Sequence, residues 1–402
     1  MMSDFDKMIR LISFSALMLV AVGCGFPLED LRERYRPGSP REAYVLGLET
    51  MGIAESAVAI EWALQGDEAL RVTLSPTLPY REEGSLLPTE IMALGYRLRL
   101  ERGQQLIVRA SLDNGNDFFV DLYESLDAMG LPMRRVASAD STAELKHDID
   151  RTKEYFLRLQ PEILSEGGFR IEIRTDASII FPVTGRDTGA VQSFFGDSRQ
   201  AGRRNHHGID IFAPRGTPVI AVREGRISRV RTGGLGGRIV WLRDNRGHSF
   251  YYAHLEEQLV QSGQRVVPGD TLGLVGNSGN ARSTPPHLHF GIYKNGPHNP
   301  WPFVFSPNLK PSPIRVESQY FGTWRRTATS RVSLLQAPSS RSLTLARFES
   351  PVDLHIIGGT STYYHVRLPD DSEGYVTVSD MERTIRRDIS SAIQRSRSTI
   401  GS

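Results

Sequence analysis

The residues best suited to chemistry in this chain are histidines, and seven of the ten lie between residues 181 and 305. A catalytic zinc site typically has three protein ligands and one open position. Three donors that converge on one point are therefore the pattern to expect. The candidates are His206, Asp210, His254, His287 and His289.

His206 and Asp210 are four positions apart, with Gly208 between them. Gly208 and the β-branched Ile209 favour an extended segment over a helix. Side chains separated by an even number of positions on an extended segment point to the same side. We therefore expect His206 and Asp210 to face one pocket, with His207 on the opposite side. The missing side chain of Gly208 is predicted to leave space for a substrate.

His287 and His289 flank a single leucine, Leu288. On a strand the two histidines share a face while Leu288 points into the core. One can then bind a metal ion while its neighbour accepts and returns protons. His254 ends an aromatic strand, 250–253, and is predicted to close the same site from a third direction.

Together these segments resemble the lysostaphin-like peptidases of family M23, also called LytM domains, over residues 181–305. The motifs that carry the resemblance are 206–211, 213–219, 252–255, 263–270 and 276–290. The resemblance implies one zinc ion per chain, held by His206, Asp210 and His289. It also implies that His287 acts as general base and His254 steadies the tetrahedral intermediate, although the two histidines could exchange these roles.

The same resemblance implies a function. It predicts a zinc metalloendopeptidase that hydrolyses peptide cross-links of bacterial peptidoglycan. One alternative is a non-catalytic LytM-type scaffold that activates another wall hydrolase; such relatives typically lack some of the ligands, whereas all three are present here. Another alternative is a peptidase that acts on a Gly-rich protein.

The only cysteine, Cys24, follows a short apolar run. Lys7 and Arg10 precede residues 11–20, which are too few to span a bilayer. This pattern resembles a bacterial lipoprotein signal, in which Cys24 becomes the lipidated first residue. The alternatives are an ordinary signal peptide cut nearby and a free buried cysteine. Export is expected in either case, and the lipoprotein signal predicts a membrane-anchored protein that faces the periplasm or the cell exterior.

Composition excludes other classes of protein. The formal net charge is only +2, with 48 Lys and Arg against 46 Asp and Glu. No basic stripe is visible, so we expect no nucleic-acid partner. Hydrophobic residues make up 39% and charged residues 23%, which excludes a multi-span membrane protein and a wholly disordered one.

Period-two alternation elsewhere predicts a mainly β protein. Segments between residues 72 and 175 indicate a β-sandwich that resembles pre-peptidase jelly-roll domains. Five short strands near the C-terminus indicate a small barrel that resembles bacterial SH3 domains. The predicted order is a signal peptide (1–23), a tether (24–40), a helical pair (41–70), a β-sandwich (71–177), an all-β M23 peptidase domain (178–308), a linker (309–324), an SH3-like domain (325–382) and a basic tail (383–402).

The remaining histidines are expected to have no part in the chemistry. His248 and His298 are predicted to be solvated in Gly-rich turns. The others are His147, His207, His355 and His365.

Overall fold

A computed structural model describes residues 38–115, 118–125, 133–139, 144–199, 202–307, 309–327 and 331–381. The predicted signal peptide, Cys24, most of the tether and the basic tail lie outside these ranges. Within them, no helix is long and apolar enough to cross a membrane. The chain divides between Glu61 and Trp62 into two compact units.

Two short helices begin the described chain, α1 (Pro40–Thr50) and α2 (Ala57–Glu68). The side chain of Ser39 accepts a hydrogen bond from the backbone N–H of Glu42, at 3.2 Å, and Pro40 occupies the first turn. Both features are typical of helix starts. The predicted N-terminal helices are therefore confirmed.

Strands make up 45% and helices 12% of the structure, which confirms the prediction of a mainly β protein. Eight strands form the N-terminal sandwich: β1 (Tyr80–Leu86), β2 (Leu94–Leu100), β3 (Gln104–Leu112), β4 (Phe118–Ser125), β5 (Met133–Ser138), β6 (Glu144–Asp148), β7 (Lys153–Pro161) and β8 (Gly167–Ala177). One sheet has the order β2-β7-β4-β5, and the other contains β1-β8-β3-β6. Buried residues of both sheets, such as Leu98 and Ile171, share one core.

The central β region contains thirteen strands and a short helix. They are β9 (Val191–Ser193), β10 (Ser198–Arg199), β11 (Arg204–Asn205), β12 (Ile209–Phe212), β13 (Pro218–Ile220), β14 (Gly225–Thr232), β15 (Arg238–Arg243), β16 (Ser249–Leu255), β17 (Glu257–Gln258), β18 (Arg265–Val266), β19 (Thr271–Leu274), β20 (His287–Tyr293), β21 (Pro297–His298) and α3 (Trp301–Val304). Its main sheet has the order β18-β14-β15-β16-β20-β12-β9. The three strands that carry most candidate site residues, β16, β20 and β12, are neighbours in this sheet.

The C-terminal β region contains six strands: β22 (Thr323–Arg326), β23 (Val332–Leu335), β24 (Thr344–Phe348), β25 (Asp353–Thr360), β26 (Tyr363–Arg367) and β27 (Glu373–Thr377). Five of them correspond to the predicted short strands, and β22 is additional. These strands do not form a sheet of their own, because β25 pairs with β1 of the sandwich, with Glu83 opposite Gly359. A single ten-stranded sheet therefore joins the two regions.

A buried polar cluster lies where this sheet passes from the sandwich to the C-terminal β region. Nδ1 of His365 is 2.7 Å from Oε1 of Glu82, and neither side chain is exposed to solvent. The hydroxyls of Tyr80 and Tyr375 are 2.8 Å apart, and Tyr96 donates to Glu82. His365, which was expected to have no part in the chemistry, is thus an ion-pair partner in the core.

The sandwich also contacts the central β region through Asp148. Its Oδ2 lies 2.6 Å from Arg223 and 2.5 Å from Arg246. The ring of Phe303 occupies the space that a side chain at Gly103 would take. The contact therefore combines an ion-pair network with close apolar packing.

Candidate metal centre

Strand register brings the candidate ligands together. Asp210 on β12 lies directly opposite His289 on β20, and Ala253 on β16 lies opposite the same residue. His254, the next residue, is thereby brought to the same end of the sheet. His206 precedes β12, and its backbone N–H donates to the carbonyl of Asp197. Three adjacent strands and one anchored loop therefore supply the site.

Three donor atoms form a small triangle. Nε2 of His206 lies 3.0 Å from Oδ1 of Asp210 and 2.9 Å from Nδ1 of His289. The third edge, from His289 Nδ1 to Asp210 Oδ1, is 2.9 Å. Ligand atoms about 2.0–2.1 Å from a tetrahedral zinc ion are about 3.3 Å apart. Two imidazoles and one carboxylate at this spacing fit such an ion after a small expansion.

Backbone carbonyls set the tautomers of the surrounding histidines. Nδ1 of His206 lies 2.8 Å from the carbonyl oxygen of Phe194. A carbonyl can only accept, so Nδ1 carries the hydrogen and Nε2 offers its lone pair to the triangle. The same argument applies to His254, whose Nδ1 is 2.9 Å from the carbonyl of Ser278, and to His287, whose Nδ1 is 2.9 Å from that of Pro285.

His254 and His287 lie beside the triangle with their ring centroids 5.1 Å apart. The ring of His287 stacks on Phe212, and that of His254 lies 5.9 Å from that of His289. The backbone of His254 has φ 63°, a conformation that non-glycine residues adopt at a cost and that is common at functional sites. Both histidines are buried.

The surroundings favour the protonation states that a metal site needs. Burial raises the pKa of Asp210, but its close contacts with the rings of His206 and His289 outweigh burial and hold that pKa well below its ordinary value. Burial lowers the pKa of His289. Burial, together with the imidazoles of His287 and His289, lowers the pKa of His254 to about 4. These shifts keep the carboxyl of Asp210 ionised and the imidazole of His289 neutral at neutral pH, as metal ligands must be.

Residues 204–300 match the family model described as Peptidase family M23. This segment of the chain is an M23 domain. The predicted resemblance is thus confirmed, and all five candidate site residues lie within the matched part of the M23 domain.

Curated relatives that match this part of the chain are named as endopeptidases. The chain is 36% identical to the L-Ala--D-Glu endopeptidase of Bacillus subtilis over 37% of this chain and 44% of that protein. It is 38% identical to the peptidoglycan DD-endopeptidase ShyC of Vibrio cholerae over 23% and 21% of the two chains. It is also 38% identical to the glycyl-glycine endopeptidase ALE-1 of Staphylococcus capitis over 25% and 30%. The chain spans less than half the length of each of these relatives.

Two solved structures were also matched. The catalytic domain of lysostaphin from Staphylococcus simulans is 31% identical, with 28% of this chain and 90% of that chain covered and a TM-score of 0.26. A zinc-containing peptidase from Vibrio cholerae is 29% identical, with 31% and 40% covered and a TM-score of 0.27.

The ligand triangle of the M23 domain opens into a groove of about 530 Å³. Sequence reasoning missed one contact in it: Nη2 of Arg199 lies 2.6 Å from Oδ2 of Asp210. Arg199 belongs to no motif, and the only hint was its place in an arginine-rich segment just before His206. Tyr251 and Tyr293 also line the groove, and the ring of Tyr251 lies edge-on to that of His289.

Two expectations about other residues of the M23 domain need correction. Gly208 does not make room for a substrate, because its missing side chain accommodates the imidazole of His289. His248 is not solvated: it is buried, and its Nδ1 lies 3.1 Å from Asp244. His207 is exposed and is not one of the three residues of the triangle.

Proposed function

We propose that this protein is a zinc metalloendopeptidase that hydrolyses peptide cross-links of bacterial peptidoglycan. The observation that carries the proposal is the triangle of His206, Asp210 and His289, with His254 and His287 buried beside it. The names of the relatives, which include an L-Ala--D-Glu endopeptidase and a peptidoglycan DD-endopeptidase, support the choice of substrate.

In this proposal His206, Asp210 and His289 hold one zinc ion. When bound, zinc supplies Lewis acidity, which polarises a peptide carbonyl and makes water a better nucleophile at neutral pH. Arg199 holds the second oxygen of the Asp210 carboxylate, so the first remains directed at the metal position. The carbonyl of Phe194 accepts a hydrogen bond from Nδ1 of His206, so Nε2 of that ring remains directed at the metal position.

His287 serves as general base in this proposal. Its Nδ1 hydrogen is engaged with Pro285, so Nε2 can accept a proton from the attacking water and return it to the leaving amine. Such a step contributes roughly a hundred- to ten-thousand-fold to the rate. His254 presents the same acceptor atom, and its low pKa keeps it neutral. It therefore orients the water as an acceptor, and donates to an oxyanion only after it is protonated.

Export and anchoring form a further part of the proposal. The lipoprotein-like segment before Cys24 supports a lipid anchor at that residue, which would hold the peptidase near its substrate. Palmitate labelling of wild type and Cys24→Ala in a bacterial host tests the anchor. Equal labelling of both would contradict it.

The activity is tested on purified peptidoglycan with wild type, His287→Ala and His207→Ala, each with and without a chelator. We expect wild type and His207→Ala to release soluble fragments. The rate of release should fall by a hundred-fold or more for His287→Ala. No sample with chelator should release fragments. Mass spectrometry of the fragments identifies the bond. Equal release in all samples would contradict the proposal. A wild-type protein that is folded but has neither zinc nor activity would favour the alternative of a non-catalytic scaffold.

A further inference from the structure

Two arginines face one another beside the ligand triangle. β10 and β11 form a two-stranded antiparallel ribbon in which Arg199 lies directly opposite Arg204. Both residues line the groove that contains His206, Asp210 and His289. Like charges directly opposite on one face of a ribbon are destabilising. Folding alone therefore does not favour this arrangement.

The charges in the groove are unbalanced. Asp210 is the only acidic residue among those that line it. Arg199 uses one N–H group on Asp210, and 33% of its side chain remains exposed. The side chain of Arg204 is exposed and forms no ion pair or hydrogen bond with a residue that the structure describes. With a divalent cation at the triangle, two guanidinium groups and the metal would face one carboxylate.

A groove with this excess of positive charge attracts an anion. The guanidinium fork matches a carboxylate with two parallel hydrogen bonds, and such charge-assisted bonds are among the stronger ones. Stem peptides of peptidoglycan carry free carboxylates, whereas glycine bridges do not.

We propose that Arg199 and Arg204 bind a free carboxylate of the substrate next to the scissile bond. The M23 domain then selects acidic stem peptides over uncharged glycine bridges. This inference rests on the proposed peptidase activity. Arg199 also positions Asp210, so its loss would disturb the metal ligand as well. Arg204 has no such second contact and gives the cleaner test.

The test uses cross-linked stem-peptide dimers in two forms, with their carboxylates free or converted to primary amides. For zinc-loaded wild type we expect kcat/KM to favour the free form by about ten-fold, chiefly through KM, since a hydrogen bond to a charged group is worth about 1.5 kcal/mol or more. For Arg204→Ala the ratio should fall towards one, and for Arg204→Lys it should be partly retained. Arg203→Ala, which removes an exposed arginine of the same segment outside the groove, should keep the wild-type ratio.

Salt provides a second measurement. The preference of wild type should shrink between about 0.05 and 0.5 M salt, because the screening length falls over this range. Zinc content and circular dichroism establish that each variant is folded. Equal cleavage of the two forms by wild type, or an unchanged ratio in Arg204→Ala, would overturn the carboxylate inference alone. No cleavage of either form by zinc-loaded wild type would overturn the peptidase proposal and this inference with it.

Discussion

A side chain at Gly208 would place its Cβ 2.7 Å from Cε1 of the His289 ring. It would also lie 2.5 Å from the backbone oxygen of Phe290, and β20 cannot retreat because it is paired with β12 and β16. Gly208→Ala should therefore displace His289. We expect zinc affinity, measured by competition with a chromogenic chelator, to fall by about ten- to a hundred-fold.

Gly47→Ala is the control for this substitution, because Gly47 has open space around its Cα and lies in α1. Its zinc affinity should equal that of wild type. If Gly208→Ala also binds zinc as wild type does, the close approach does not determine the position of His289.

Zinc should stabilise the folded protein. A ligand that binds only the native state at a free concentration of 1,000 times Kd adds about 4 kcal/mol. We expect the thermal unfolding midpoint of the chelator-treated protein to rise by several degrees on addition of zinc. His289→Ala should show no rise, whereas His207→Ala should respond as wild type does, since His207 is exposed and is not one of the three residues of the triangle. Equal shifts in all three proteins would place the zinc elsewhere.

Asp148 should couple the sandwich to the M23 domain. Asp148→Asn preserves a partner for Gln105 but removes the charge that Arg223 and Arg246 share. We expect the free energy of unfolding to fall by about 1–3 kcal/mol. The loss is limited because Arg246 is half exposed and solvent screens part of the network. Calorimetry should show either a lower midpoint or two separate transitions.

Asp353→Asn is the matched control for Asp148. Its partner, Arg326, lies 3.6 Å away and both side chains are mostly exposed. This variant should unfold at the wild-type midpoint. An Asp148→Asn protein that behaves in the same way would mean that apolar packing around Phe303 alone holds the two regions together.

Stability should decrease with rising pH through His365. Burial lowers the pKa of His365, but Glu82 and Glu373 outweigh burial and raise that pKa to about 10. An unfolded histidine titrates near 6.5. The charged form therefore contributes its full stabilisation below about pH 6.5, and this contribution is lost as pH rises through 10.

The measurement is the thermal unfolding midpoint at pH values between about 6.5 and 10. Wild type and His207→Gln should lose stability over this range. His365→Gln should be less stable than wild type at about pH 6.5, and its stability should fall less than that of wild type between about pH 6.5 and 10. Parallel curves for wild type and His365→Gln would mean that the Glu82 pair contributes no pH dependence.

Alternation along strands accounts for what could be predicted of the site. It placed His206 and Asp210 on one side, and it put His287 and His289 on one face of β20. It could not specify that Asp210 lies opposite His289, because the register between strands distant in sequence depends on the whole sheet. The role of Gly208 was misread for the same reason, since the ring that fills its space belongs to another strand.

The fold class followed from local patterns, whereas the connections between regions did not. Strands near the C-terminus were visible as short apolar runs, but nothing in them indicated that β25 would pair with β1. His365 looked unremarkable because its partner, Glu82, belongs to a distant segment. Arg199 was overlooked because its importance arises from one contact across the groove and from no repeated spacing.

The pairing of β1 with β25 makes the sandwich and the C-terminal β region depend on each other. Without β25, β1 would be an edge strand of its sheet, with open N–H and C=O groups and with Glu82 deprived of His365. Exposed edges invite association between molecules. A chain shortened before residue 350 should therefore aggregate even though its M23 domain is intact, and light scattering of the shortened and full-length proteins would reveal it. The same dependence means that the sandwich completes its folding only after the last strands have been synthesised.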